Sequence, residues 1–205
     1  MTQPGFSTRE RILGAAEVLF ARHGFAGASL RQVTAGARVN LAAVHYHFGS
    51  KEGLIEEVFR RRLDQLNRER LAALARVAER GNASLEDVLD AFIRPALEQS
   101  LEAHGGGAFV RVLARAYAEH DERLRRFLSE NYGHVLREFA SVFMRLLPHL
   151  DKERLYWRLD IIAGAVTYAM ADFGIVKRRS TTSEETHRRQ AVTHLIAFAA
   201  AGLRA

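Results

Sequence analysis

The sequence predicts an all-α protein built in two parts. Three observations carry that expectation. The chain of 205 residues has only three prolines and no stretch of alternating apolar and polar residues that would read as a strand. Apolar residues instead recur at three- and four-residue spacing behind Ser, Asn or Asp caps. Glycine- or proline-containing breaks fall between these runs, at Gly24–Gly27, Gly49, Gly81-Asn82, Gly105–Gly107 and Pro148.

The first helix is announced by Ser7 with Glu10, a capping box, followed by Ile12, Ala15, Ala16, Leu19 and Phe20 on one face. Gly24-Phe25-Ala26-Gly27 turns the chain. Ser29 with Gln32 boxes a second helix carrying Leu30, Val33 and Ala37. Asn40 caps a third that runs to about Phe48, Gly49 ends it, and Ser50 caps the next. In the third helix Leu41, Val44 and Phe48 fall on one inward stripe, with Phe20, Phe25 and Phe48 as the large side chains of a small core. Ala42, Ala43 and Tyr46 point the other way, with His45 and His47 on the flanks. Two short helices joined by a tight turn, with a small and uncharged outer face, have the layout of a helix-turn-helix reader of the DNA major groove. The same spacing also suits a plain helical bundle.

Beyond Ser50, a long helix from Lys51 to about Arg80 turns Leu54, Ile55, Val58, Phe59, Leu63 and Leu66 inward and links the two parts as a lever. Ser84 caps a helix to about Ala103 that contains Pro95, which removes a backbone bond and can bow it. Further helices are expected over 108–119, from Asp121 to Leu147, from Asp151 to about Lys177, and from a Thr182/Glu185 box to about Leu203. The basic runs Arg60–Arg62 and Lys177–Arg179 read as solvated helix faces or ends, the first adding positive potential.

Composition sets limits. About half the residues are apolar (48%), enough for a substantial core. A net charge of +6 suits a nucleic-acid binder and many other proteins. The absence of cysteine excludes disulfides and thiolate metal sites, and suits the cytoplasm. The apolar runs near Ile161–Ala171 and Leu195–Leu203 are too short to span a bilayer, and the polar amino terminus is not a signal peptide. The glycine triplet lacks the Lys-Ser/Thr of a phosphate loop.

The order Val33, Ala37, Val39-Asn40, Val44-His45-Tyr46-His47-Phe48, Lys51 and Leu54 resembles the amino-terminal domain of the TetR family of bacterial repressors, over Thr8–Phe59. The resemblance implies a homodimer with two DNA-reading heads and a larger helical domain that binds a small inducer. The expected boundaries are 1–52 for the head and 53–205 for the ligand-binding and dimerisation domain. Two departures stand out: Arg38 replaces a customary glycine in the turn, and His45 replaces the first of two aromatics. The expected DNA-binding set is Ser29, Arg31, Asn40, Leu41, Ala42, Ala43, His45, Tyr46 and Lys51. Arg31 lies where the family's second helix reaches a base, while Ser29, Tyr46 and Lys51 hold phosphates. The operator should be double-stranded and near-palindromic.

The last two helices mix small and large apolar residues, Ala163, Gly164, Ala165 and Ala169 in one and Ala197, Ala199, Ala200, Ala201 and Gly202 in the other. The resemblance implies that they pair with their copies; an intrachain bundle is the alternative. The middle helices should wall the inducer cavity with Phe92, Phe109, Val112, Leu113, Tyr117, Phe139, Phe143, Trp157 and Ile161, and Ile93 and Phe127 lie on the same helices. YWRLDIIAGAVTYAMADF, HLIAFAAAGLRA and NLAAVHYHFGSKEGLIEEVF are similar to the fatty-acid-responsive branch of the family. That similarity implies a long-chain fatty acid or acyl-CoA, with Arg111, Arg115 or His104 as carboxylate partner.

Two other classes suit a helical chain of this size. A helical metal-binding enzyme needs paired Glu-x-x-His segments, and only Glu184–His187 provides one; no nucleophile elbow or dinucleotide loop appears. His45 and His47 lie on opposite flanks of their helix, so no metal or other cofactor is expected. A helical adaptor that binds no DNA is the second alternative.

Overall fold

The computed structural model describes residues 7–101, 106–119, 121–171, 176 and 181–205, apart from the side chain of Tyr117. Every element among them is helical: α1 (Thr8–Gly27), α2 (Leu30–Ala37), α3 (Leu41–Phe48), α4 (Lys51–Glu79), α5 (Leu85–Gln99), α6 (Gly106–Glu119), α7 (Glu122–Leu146), α8 (Lys152–Met170) and α9 (Glu184–Arg204). No described helix is long and apolar enough to cross a membrane.

The caps act where the local chemistry put them. Ser7 Oγ accepts from Glu10 N, Asn40 Oδ1 from Ala43 N, and Asp151 Oδ1 from Arg154 N. Ser29/Gln32 and Ser84/Asp87 form reciprocal boxes. The last helix departs from expectation. Ser183, not Thr182, is its cap and accepts from Thr186 N at 3.1 Å, because Ser183 holds the extended conformation that aims its hydroxyl at the helix. Helix α6 begins at Gly106, two residues earlier than expected, and α8 closes at Met170. Lys177–Arg179 and the carboxylate candidate His104 lie outside the described residues.

The described chain forms two compact units. The first joins the residues up to Asp64 with Ala108–Phe127; the second joins Gln65–Gly107 with Leu128–Ala205. This grouping differs from a cut at 52/53, because the first unit's core draws on residues distant in sequence. Phe20, Phe25, Phe59 and Phe109 form a chain of ring contacts at 5.7, 6.2 and 5.8 Å. Ile12, Leu13, Val33, Val44 and Leu54 complete this core, which is larger than the expected trio of phenylalanines. Glu17 and Arg62 bridge α1 and α4 inside it at 2.8 Å, with side chains only 5% and 14% exposed. Arg60 stacks on Phe127 at 5.1 Å. Near the end of α1, Gly24 adopts φ 72, and the carboxylate of Glu119 accepts the following Phe25 N–H at 3.0 Å.

In the second unit α9 packs chiefly on α5, and α8 packs on both. Arg204 pairs with Glu86, Arg158 donates to Leu203 O at 3.0 Å, and Arg70 lies 4.0 Å above the Phe92 ring. Phe92 meets Phe139 edge-on at 5.1 Å.

Candidate nucleic-acid interface

The face of interest is built by α2, the turn at Arg38, α3 and the first turn of α4. Val33, Ala37, Val44 and Phe48 anchor it from below, each at most 9% exposed. Leu41 departs from the expected inward stripe and is 41% exposed. It is the first residue of a two-turn helix, beyond the cover that holds Val44 and Phe48. Ala42, His45 and Tyr46 are exposed and Ala43 half-buried, so the outer face of α3 is the small, uncharged surface that the helical spacing predicted.

Each functional side chain has a definable state. Tyr46 is 85% exposed and stands edge-on to His47 at 5.0 Å. His45 Nδ1 lies 2.8 Å from Gly49 O. A carbonyl only accepts, so Nδ1 carries a proton and donates to Gly49 O. Ser29 is engaged in its capping box, and Asn40 Oδ1 in its cap, leaving the Asn40 amide NH₂ for a ligand. Lys51 Nζ is 3.5 Å from Ala26 O, a long contact that solvent or phosphate can replace.

Gly53 explains how α3 and α4 meet. A Cβ there would lie 2.3 Å from Phe48 O, so only glycine lets the start of α4 close on the end of α3. Gly53 N–H is held by Ser50 Oγ at 3.1 Å. Glu52, in the same turn, has its carboxyl held below the ordinary 4.5, first by its own backbone N–H and then by the Ser50 hydroxyl.

The turn into α3 keeps its usual geometry despite carrying arginine. Arg38 takes φ 55, ψ 50, the left-handed region, at a cost of about 1 kcal/mol for a residue with a Cβ. A side chain that the sequence analysis did not single out holds the turn. Arg11 of α1 reaches across and donates from Nη2 to Ala37 O at 2.5 Å and Arg38 O at 2.7 Å. Two carbonyls at a helix C-terminus are natural partners for a guanidinium. The signal for it was present, since a non-glycine in that turn calls for an external brace.

The electrostatics were also legible and missed. No Asp or Glu occurs between Glu17 and Glu52, while Arg22, Arg31, Arg38 and Lys51 do. Six other cations of the first unit have carboxylate partners: Arg9 and Arg60 with Glu57, Arg61 with Glu10, Arg62 with Glu17, Arg123 with Glu56, and Arg125 with Glu122. Among the described residues, no carboxylate lies within 4.0 Å of Arg31, Arg38 or Lys51. The helix-turn-helix therefore carries positive charge with no carboxylate of its own.

The expected cavity residues are distributed over both units. Phe109 and Val112 are buried and Leu113 half-buried in the first; Phe92, Phe139 and Phe143 are buried in the second. Trp157 and Ile161 are placed differently from expectation, 64% and 62% exposed on the outer face of α8. The inner stripe of α8 is Leu155, Leu159, Ile162, Val166 and Met170, which rotates positions 157 and 161 outward. Trp157 borders an open groove of about 630 Å³ with Leu136, Lys152 and Tyr156. Arg111 and Arg115 are exposed, and Arg115 reaches Arg22 O at 3.5 Å. The single Glu-x-x-His stretch forms the first turn of α9, with Glu185 paired to Arg189 at 3.0 Å. No three His, Asp or Glu gather as a metal site among the described residues.

Comparison with known proteins agrees with this architecture. Residues 12–58 match the family described as bacterial regulatory proteins, tetR family, and residues 90–202 match the tetracyclin repressor-like C-terminal domain. The chain is 40% identical over 52 residues to the probable HTH-type transcriptional regulator YttP of Bacillus subtilis (strain 168), a stretch spanning 25% of each chain. A putative tetR family transcription regulator from Shewanella sp. PV-4 superposes with TM-score 0.65 at 19% identity, covering 97% of this chain and 96% of that one. A transcriptional regulator from Rhodococcus sp. Rha1 gives 0.60 at 23%, covering 97% and 99%. The fatty acid degradation regulator FadR from Bacillus halodurans gives 0.62 at 16%, covering 95% and 97%. At these identities the structures speak for the fold. With one family matched at the head and the other across most of the remainder, the chain belongs to the TetR family of bacterial regulatory proteins.

Proposed function

We propose that this chain is a DNA-binding transcriptional regulator, a repressor that works as a homodimer and is released from its operator by a small apolar ligand. The observation that carries the reading is the stretch from α2 through α3, which holds no Asp or Glu and whose exposed Arg31 and Arg38 have no carboxylate within 4.0 Å among the described residues. Phosphate neutralisation supplies most of the affinity of such a surface. The small outer face of α3, with Ala42, Ala43, His45 and Tyr46, lets its backbone approach base edges in the major groove. Arg31 is assigned to guanine, and Lys51, Tyr46 and the Ser29 turn to phosphates.

Dimerisation is assigned to α8 and α9. Trp157, Ile161 and Tyr168 on α8 and Phe198 on α9 are each at least 53% exposed, beside the exposed Gly164, Ala197, Ala201 and Gly202. Large apolar side chains grouped on neighbouring helices mark an interaction surface. Ala199 does not belong to it. It is 3% exposed within its own chain, on the α9 stripe with Val192, Ala200 and Leu203.

The ligand is assigned to the helical body as a long apolar acid, a fatty acid or its CoA thioester. The sequence resemblance supports this, as does the fold shared with a regulator of fatty acid degradation. Capture of genomic DNA fragments by the purified protein tests the main reading. Enriched fragments should share one two-fold-symmetric element, and enrichment without any common element would sink it.

A further inference from the structure

We infer that Arg38 is a phosphate-binding residue particular to this chain, retained at the cost of backbone strain and steadied by Arg11; this rests on the DNA-binding reading above. Arg38 is the only described non-glycine residue with a positive φ, at 55°. Glycine takes that conformation without penalty. Strain of this kind persists where surrounding contacts over-determine it, and it clusters at functional positions.

The contacts that impose it involve the backbone of the turn, not the Arg38 side chain. Arg38 N–H bonds Ala35 O at 3.2 Å, Val39 N–H bonds Thr34 O at 3.0 Å, and Arg11 grips the Ala37 and Arg38 carbonyls. Every one of these bonds would survive with glycine at position 38. The Arg38 side chain is exposed, with no carboxylate within 4.0 Å and no hydrogen bond among the described residues. Folding therefore gains nothing from it.

Its place gives it a use. Arg38 stands two residues before Asn40, the cap of α3, at the end of the helix that enters the groove. It precedes the reading face of α3 and forms no part of it, so we assign its charge to a backbone phosphate beside the groove and not to a base edge. The surrounding sequence holds no acid from Glu17 to Glu52 to compete for it.

Stability and binding should then move in opposite directions. Arg38→Gly, Arg38→Lys and wild type are compared by thermal melting and by titration of a selected operator duplex at several salt concentrations. Arg38→Gly should melt higher, by about 2–4 °C for a chain of this size. It should bind about tenfold more weakly or worse, with the log–log salt slope shallower by about 1.8, or about 0.9 for each of the dimer's two copies of Arg38. The loss should be equal on operator and random duplexes, and Arg38→Lys should restore the slope. If wild type prefers the selected duplex and Arg38→Gly matches it in affinity and slope, the Arg38 assignment is overturned while DNA binding stands. A loss confined to one base position would overturn it too, making Arg38 a base reader. Should wild type show no preference for any duplex, the failure belongs to the DNA-binding reading and takes the inference with it.

Discussion

Replacing Gly53 with alanine sets two known effects against each other at one atom. In a helix interior, Gly→Ala normally stabilises by about 1 kcal/mol, since alanine loses less backbone entropy. Here the added Cβ would stand 2.3 Å from the Phe48 carbonyl oxygen and 3.5 Å from its carbon. Ordinary contacts are about 3.5 Å, so roughly 1 Å of movement is required. The obstructing atom is backbone and cannot rotate aside; either α3 or α4 must shift. Overpacking of this kind costs about 1–3 kcal/mol, and a rigid obstacle places it toward the upper end. The net expectation is destabilisation of about 1–2 kcal/mol, a fall of several degrees in Tm. Gly14 provides the control, because nothing lies within 4 Å of a Cβ built there and Gly14→Ala should melt higher than wild type. Far-UV circular dichroism melts of both variants supply the measurement, with operator titration alongside. Gly53→Ala should also weaken operator binding, since the shift displaces α3 relative to Lys51. A Gly53→Ala protein that melts above wild type and binds DNA unchanged would refute the claim that this contact sets the junction.

Arg31→Ala should cost about 1–3 kcal/mol in operator binding and relax specificity at one position per half-site, whereas Lys51→Ala should weaken all duplexes alike; the reverse pattern would exchange their roles. Phe198→Glu should sediment as a folded monomer, while Ala199→Glu should lose stability by several kcal/mol through an unpaired buried charge; a stable dimeric Phe198→Glu would move the interface elsewhere. Asp87 and Glu86 at the start of α5 have carboxyls held below their ordinary 3.8 and 4.5, Asp87 first by the Ser84 hydroxyl and Glu86 first by Arg204. Because the folded values are depressed, their contribution is present above those ordinary values and disappears as pH falls through the lowered ones. Asp87→Asn should therefore flatten the acid limb of a melting-versus-pH curve, and an unchanged limb would remove Asp87 from the account. Long-chain fatty acid or acyl-CoA should bind the protein in a calorimetric titration and weaken operator binding, by the same factor that DNA weakens the ligand; silence in both signals would discard the acyl assignment.

What was legible beforehand was local. Ser7, Ser29, Asn40, Ser84 and Asp151 cap the helices expected of them, because a cap needs only its own residue and the next three. Helical periodicity alone turns Ala42, Ala43 and Tyr46 outward with His45 on the flank, and Ala42, His45 and Tyr46 are exposed while Ala43 is half-buried. Facts that depend on distant neighbours were not legible. Periodicity offers α8 two apolar faces and cannot say which one the chain covers; the structure turns Trp157 and Ile161 outward and Ala199 inward. The grouping of Ala108–Phe127 with the head depends on Phe59 meeting Phe109, a contact between positions far apart in sequence. Arg11 lies twenty-six residues or more from the carbonyls that it grips. Thr182 and Ser183 are both competent caps, and only the backbone conformation selects between them.

The central claim is that uncompensated cations on a carboxylate-free helix-turn-helix make this a sequence-specific DNA binder. Its most direct test is a titration of wild-type protein with a selected duplex and with random duplex across a range of salt. The account predicts a dissociation constant of about 10⁻⁸ M or tighter for the selected duplex, at least about 10³-fold tighter than for random DNA, and a steep linear fall of log affinity with log salt. Equal affinity for the two duplexes, or binding indifferent to salt, would contradict it.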